Sequence, residues 1–457
     1  MKEPEGAATE PNLDAETAAT GYAEREAMLE VLEPTARATH PRPGLLRSGA
    51  IVAVAVAVSN LLNVIFQLVT ARLLPPAEYS LLVTLFSVLL IVNVPILSLQ
   101  ASVARRVAQA MADGDSGAAG AVMIESLRPL ARWGAIIVAM GAALAIPFAI
   151  AFNVERELPF LAAGAAILAT LPLPVTWGGL QGVERFGVLG GSQLLYGVLK
   201  LVAGVALGLL GFGAAAIVFG VAVATVLAFA ASLIPLRPLL AAGLRRARGT
   251  LRLFDPYTRG AAAILILIAA LTNLDLIAAR AFLDTSEAGA YAAVSVAARS
   301  LLLLPLIATT VLFPRVATLR NLTAERSHLL GGLAVVGALG VIPMALFFAV
   351  PGELIEIGFG PEYLAGADWL GPLAGAMLVY ALAEVYMFHF LALGRLRYGW
   401  ILAASQALQL VLLAFLHGSA EHIIAAQIIT ASALLVASEL FDRADTGHRE
   451  HDMAAST

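Results

Sequence analysis

Twelve predominantly apolar stretches of about 20 residues constrain this chain more than anything else in it. They fall at 48–71, 80–103, 132–152, 159–181, 188–210, 213–235, 260–281, 289–312, 329–350, 370–391, 399–416 and 420–440. A helix rises about 1.5 Å per residue, so each stretch is long enough to cross roughly 30 Å of hydrocarbon. None shows the ten-residue alternation of polar and apolar positions that a membrane β-barrel needs. The composition agrees: of 457 residues, 60% are hydrophobic and 13% charged, against roughly 45–50% and 25% in soluble proteins. So little charge excludes a coiled coil, a disordered chain or a nucleic-acid-binding protein as a description of the whole. There is no cysteine, which excludes disulfides and thiol chemistry.

The expected fold is therefore all-α and integral to the membrane, with twelve transmembrane helices in two six-helix halves. Residues 1–45 form a disordered cytoplasmic tail in this reading, because the acid-rich, proline-punctuated start carries no long apolar run. The N-terminal half covers 46–235, a cytoplasmic inter-half loop 236–259, the C-terminal half 260–441, and a second cytoplasmic tail 442–457. The first span is expected to stay uncleaved, since Glu3 and Glu5 open the chain where a secretory signal would be basic. Orientation follows from arginine placement. With both termini inside, the inside loops hold Arg105, Arg106, Arg128, Arg132, Arg185, six arginines from Arg237 to Arg259, Arg315, Arg320, Arg326, Arg395 and Arg397. The outside loops hold Arg72, Arg156 and Arg280.

Residues of the two halves match in order. Arg72 and Arg280, Arg106 and Arg315, and Pro95 and Pro305 are separated by 208, 209 and 210 positions, and Tyr79 and Tyr291 by 212. Two related halves enclosing a midplane cavity is the plan expected of an alternating-access carrier.

Several segments resemble a known family. They are Thr70-Ala71-Arg72-Leu73-Leu74-Pro75-Pro76-Ala77-Glu78-Tyr79-Ser80, Ser102-Val103-Ala104-Arg105-Arg106-Val107-Ala108 and Gly178-Gly179-Leu180-Gln181-Gly182-Val183-Glu184-Arg185-Phe186. Thr272-Asn273-Leu274-Asp275, Ala288-Gly289-Ala290-Tyr291 and Gly358-Phe359-Gly360-Pro361-Glu362-Tyr363 complete the set. Together they resemble the polysaccharide (O-antigen, Wzx-like) flippases of the multidrug/oligosaccharidyl-lipid/polysaccharide exporter (MOP) superfamily, with a MATE-like fold. That resemblance implies a carrier in the bacterial cytoplasmic membrane that moves a polyprenyl-pyrophosphate-linked oligosaccharide from the inner to the outer leaflet. It also implies a polysaccharide polymerase or glycosyltransferase as protein partner, alongside the lipid bilayer and the lipid-linked substrate. No nucleic-acid partner is expected.

Ionisable residues inside spans carry the sharpest functional signal, because even the lowest scales assign about 2.5–3.5 kcal/mol to one at the bilayer centre. Four stand out: Lys200, Asp275, Arg299 and Glu384. The expectation is that Lys200 and Arg299 hold the pyrophosphate, with Arg72 and Arg280 near the outer mouth drawing it onward. Asp275 and Glu384 would bind a coupling proton or sodium ion, or hold the cations until substrate arrives; static interhelical ion pairs are the plainer alternative. Asn60, Asn63 and Gln67 recur at helical spacing on one face, as do Gln193, Tyr196 and Lys200, and Asn63 and Gln67 are counted with the substrate-binding residues. Gly204 and Gly208 have the spacing of close helix packing, and prolines at 95, 172, 174, 305 and 343 are candidate bends.

No HExxH, Walker A or acidic metal pair appears. The chain is thus expected to be no enzyme and to hold neither metal nor cofactor beyond a coupling ion. Two other functions fit the twelve-span plan: an ion-coupled multidrug or metabolite exporter, and a peptidoglycan lipid-precursor flippase.

Overall fold

Short turns punctuated by proline and glycine fold the apolar stretches back on one another. The structure, a computed structural model, describes residues 43–152, 154, 157–249, 256–305 and 322–455. Most of the tail expected at 1–45 thus lies outside the described residues, as do Arg252, Arg315 and Arg320. Helix α1 (Pro43–Leu73) stops before Pro75-Pro76, and Pro76 starts α2 (Pro76–Ala112) at a position where its missing N–H is no loss. Gly114 supplies the left-handed residue, φ 75°, of the turn into α3 (Ser116–Ala151), and the Asp115 side chain accepts a hydrogen bond from the Ala118 N–H at 2.9 Å to cap it. There follow α4 (Leu158–Thr170), α5 (Leu173–Gly182), α6 (Phe186–Leu209), α7 (Ala214–Leu233) and α8 (Arg237–Leu244). The second half holds α9 (Pro256–Leu271), α10 (Leu274–Phe282), α11 (Thr285–Ala298), α12 (Leu322–Ala349), α13 (Pro351–Gly358), α14 (Leu370–Ala392), α15 (Gly399–Phe415) and α16 (Ala420–Ala455).

Among the described residues, eleven helices or helix pairs are long and apolar enough to span. They correspond to the predicted spans except 289–312, which is described only as far as Pro305. Two predicted spans are broken. The fourth divides between α4 and α5 at Leu171-Pro172, and the seventh between α9 and α10 at Thr272-Asn273. By contrast the helix runs unbroken across Pro95 and Pro343, two of the expected bends.

Two boundaries differ from the sequence reading. The stretch 442–457, read as a tail, continues α16 as far as Ala455. Ion pairs tie this extension down: Arg326 bonds Glu439 at 2.5 Å and also pairs with Asp442, Arg395 reaches Asp445 at 2.5 Å, and Arg449 of the extension reaches Glu325 at 2.7 Å. The inter-half loop 236–259 is shorter than expected, because α8 occupies its start and α9 begins at Pro256. Helix α8 is seated on α3 where two glycines meet: a Cβ on Gly120 would lie 1.9 Å from the Leu239 carbonyl oxygen. Arg246 pairs with Asp115, the N–H groups of Arg248 and Gly249 donate to Glu125, and Arg128 donates to the carbonyls of Ala247 and Gly249.

Small residues set the remaining close contacts. A Cβ on Gly204 would meet the Phe66 ring at 2.4 Å and one on Gly208 would meet Leu73 at 2.9 Å, so the expected small-residue face of α6 is where α1 packs. Gly178 and Gly182 do the same for α5 against the Gln100 and Ala104 carbonyls of α2, each at 2.6 Å.

The helix ends divide into a basic end, bearing Arg105, Arg185, Arg237 and Arg245, and an opposite end at Arg72, Gly211, Asp284 and Gly360. One buried cluster joins both halves: Leu81, Leu82 and Leu85 of α2 pack with Leu276, Tyr291 and Tyr363. Toward the basic end, Leu99, Val103 and Val107 of the same helix belong to a second cluster, whose members all come from residues up to 240. Among the described residues, the halves are thus closed against each other away from the basic end.

Candidate functional site

The break in the seventh predicted span is built by polar side chains that take over helix carbonyls. Thr272 Oγ1 donates to the Ile268 carbonyl at 2.9 Å and Asn273 Nδ2 to that of Ala269 at 2.8 Å. Gln409 Nε2 donates to the Leu271 carbonyl at 2.7 Å and Arg299 Nε to that of Thr272 at 2.9 Å. The carbonyls of Ala269, Leu271 and Thr272 are backbone oxygens that a buried break would otherwise leave unpaired, while that of Ile268 also takes the Thr272 N–H at 3.0 Å. Asp275 then sits in the first turn of α10, fully buried, with Arg299 Nη2 at 2.5 Å from one carboxylate oxygen and the Tyr291 hydroxyl donating to the other at 2.9 Å. Two of the four intramembrane charges are therefore an ion pair. Arg299 Nη1 has no hydrogen-bond partner among the described residues.

Lys200 stands apart from that pair, in the first half. Its ammonium donates to Asn63 Oδ1 at 2.7 Å and lies over the faces of Phe66 and Phe86, 4.5 and 4.6 Å from the ring centroids. The two rings meet edge to face at 5.5 Å. Aromatic faces and an amide oxygen stabilise an ammonium, but no carboxylate pairs with Lys200 among the described residues. Gln67, one turn beyond Asn63, has a buried Oε1 without a partner among the described residues. Glu384, half-buried in α14, likewise has neither an ion pair nor a hydrogen bond among the described residues.

Arg72 and Arg280, expected near the outer mouth, are both at the closed end. Arg72 is exposed and donates to the Ile357 carbonyl of the other half; Arg280 is 6% exposed, and its Nε has no partner among the described residues.

The closed end holds residues that the sequence reading did not single out for function. The Tyr363 hydroxyl donates to the Ala71 carbonyl at 2.8 Å. In a helix that oxygen would take the N–H four residues on, but position 75 is proline and has none. Tyr79 packs edge to face on Tyr363 at 5.6 Å, with Phe359 beside both. Gly289 lets α11 touch the start of α2, since a Cβ there would lie 2.4 Å from Pro76. Two of the quoted segments, the one through Pro75-Pro76 and the one through Tyr363, thus meet across the halves; the signal available was the proline pair and its orphaned carbonyls.

No protein-family model matches the sequence, and no curated protein matches it. Solved structures do match. The chain superposes on the lipid II flippase MurJ in an inward closed conformation with a TM-score of 0.66 at 11% identity, covering 86% of this chain and 87% of that one. An inward-facing multidrug resistance MATE family transporter of the MOP superfamily matches with a TM-score of 0.57 at 15% identity, over 86% of this chain and 96% of that one. A MOP superfamily transporter from Pyrococcus furiosus matches with a TM-score of 0.54 at 17% identity, over 92% and 96%. The fold is that of the MOP transporters. At these identities the likeness concerns the fold, and within the MOP fold it covers both halves of the chain.

Proposed function

We propose that this MOP-fold chain is a flippase that moves a polyprenyl-pyrophosphate-linked oligosaccharide from the inner to the outer leaflet of the bacterial cytoplasmic membrane, for polysaccharide biosynthesis, and is not an enzyme. The observation that carries the reading is Lys200. A cation that no carboxylate balances among the described residues is expensive inside a bilayer, and its retention fits a site that an anionic head group visits. Arg299, with one nitrogen free and the others on Asp275 and Thr272, is the second cation for a pyrophosphate, with Asp275 holding it between cycles. Glu384 is the carboxylate assigned to a coupling proton or sodium ion. With the arginine-rich end and both termini in the cytoplasm, the closed end at Tyr363 faces outward and cargo is admitted from the inner leaflet; Arg72 and Arg280 are then placed to meet it as that end opens.

The test is reconstitution into vesicles containing a polyprenyl-pyrophosphate-linked sugar, with translocation read by a membrane-impermeant lectin. Lys200→Met should lower the rate at least tenfold at unchanged protein level. Undiminished flipping by that variant rejects the site. The two rival functions are settled in the same vesicles, by efflux of a cationic dye and by translocation of lipid II: transport of either of these without transport of the lipid-linked sugar rejects the substrate.

A further inference from the structure

The polar stripe that runs from the basic end to Lys200 has unpaired acceptors and no acid. Ser59 Oγ and Gln67 Oε1 on α1, Asn93 Oδ1 on α2 and Gln193 Oε1 on α6 are buried and have no hydrogen-bond partner among the described residues. Their register is shared. Gln193 precedes Lys200 by seven residues on α6, and Asn93 follows Phe86 by seven on the oppositely directed α2. Each therefore lies two turns, about 10 Å, toward the basic end from the contact between Lys200 and Phe86. Ser59 is one turn below Asn63 on the same side. Buried polar groups are ordinarily satisfied, so a run of unsatisfied ones along one stripe marks a surface built for something that brings donors.

The chemistry of the stripe narrows what that is. On α1, α2 and α6 the only acid is Glu78, and it is turned away to accept the Ala214 N–H at 2.7 Å. A cationic donor would meet Lys200 and find no counter-charge. What fits is a neutral ligand rich in hydroxyls, because a primary amide presents an acceptor and a donor side by side, as adjacent sugar hydroxyls do.

We propose that Asn93 and Gln193, with Ser59, form the sugar-binding subsite of this carrier, reading the hydroxyls of the first sugars while Lys200 holds the phosphate end. This rests on the flippase reading above. It fixes the direction of the head group in the described state: phosphate deep, at Lys200, and glycan toward the basic end.

The experiment compares two probes on the full-length detergent-solubilised protein by native mass spectrometry: polyprenyl pyrophosphate carrying a neutral disaccharide, and bare polyprenyl pyrophosphate. The wild type should bind the glycosylated probe about tenfold more tightly, the worth of two or three net hydrogen bonds. The double variant Asn93→Leu with Gln193→Leu should bind both probes equally, with affinity for the bare lipid unchanged within about twofold and an unchanged melting temperature. Retention of the tenfold preference by the double variant overturns the subsite. So does a wild type that binds the bare lipid as well as the glycosylated one. Should the wild type bind neither probe, the flippase reading falls and the subsite with it. In case leucine unfolds the protein, Asn93→Ala with Gln193→Ala removes both amides without added bulk; it should bind both probes equally, and a preserved preference again overturns the assignment.

Discussion

Replacing Tyr363 by phenylalanine removes one oxygen and, on the flippase reading, should change how often the end at Tyr363 is open. In the closed arrangement the Tyr363 hydroxyl is 2.8 Å from the Ala71 carbonyl, which is buried and which Pro75 cannot satisfy within the helix. Tyr363→Phe keeps the ring contact with Tyr79 but leaves that oxygen unpaired for as long as the end stays closed. An unsatisfied buried acceptor costs about 1–3 kcal/mol. In the open arrangement water reaches the carbonyl and nothing is lost. Since about 1.4 kcal/mol is a factor of ten, the ratio of open to closed should rise between about 5- and 100-fold. A population near 1% would then climb to between roughly 5% and 50%. The chain has no cysteine, so spin labels at Phe212→Cys and Leu364→Cys, both exposed at this end, report the change as a longer pulsed-EPR distance. An unchanged distance distribution in Tyr363→Phe, with both proteins folded and labelled, refutes the reasoning, because it means that the bond does not hold the end shut.

Other perturbations have equally direct readouts. Asp275→Asn weakens the partner of the Arg299 guanidinium and should lower the melting temperature, whereas Asp275→Asn combined with Arg299→Gln should recover part of that loss; a double variant less stable than the single one contradicts the pairing. Gly204→Leu places a side chain where Phe66 already lies and should reduce the folded yield severalfold, while the same change at Gly187, which has open space around it, should be neutral in size-exclusion profiles. The Asp115 carboxyl is held below its ordinary range, first by the Ala118 N–H and then by Arg246. Because its folded-state value is depressed, its contribution is complete above the ordinary value of about 4 and fades as pH falls through the lower one. Hydrogen-exchange protection at residues 245–249, taken relative to the intrinsic amide rate at each pH, should accordingly fall only in acid below about pH 4, and a fall already at pH 6 rules this out.

How far the sequence reached depends on the range of the interaction involved. Apolar runs and Gly204-Gly208 spacing are local, and the helices and a close-packing face on α6 followed from them, but not that α1 is the helix it packs against. The rarity of charge inside spans pointed to Lys200, Asp275, Arg299 and Glu384, but not to who meets whom. Asp275 and Arg299 lie on different helix segments with the turn at Leu283-Asp284 between them, and Asn63 is 137 positions from Lys200. The break at Thr272-Asn273 was hidden because the run is apolar on both sides and its repair uses Gln409, 138 residues from Leu271. The extension of α16 was hidden for the opposite reason. Its charges read as solvent-exposed tail until Arg326, Arg395 and Glu325 supply counter-ions, and no short-range pattern announces those.

The docking of α8 and residues 245–249 onto α3 has a mechanical consequence. The connection between the halves leaves the first half only at Gly249 and enters α9 at Pro256. Seven peptide links join those two points, a contour of at most about 27 Å. However the halves rock, their basic ends cannot part along this edge by more than that strap allows, while the far ends are held by the Tyr363 bond and the packing around it. On the flippase reading, the stroke is thus bounded at one end by covalent length and at the other by a hydrogen bond that can be switched off with a single atom.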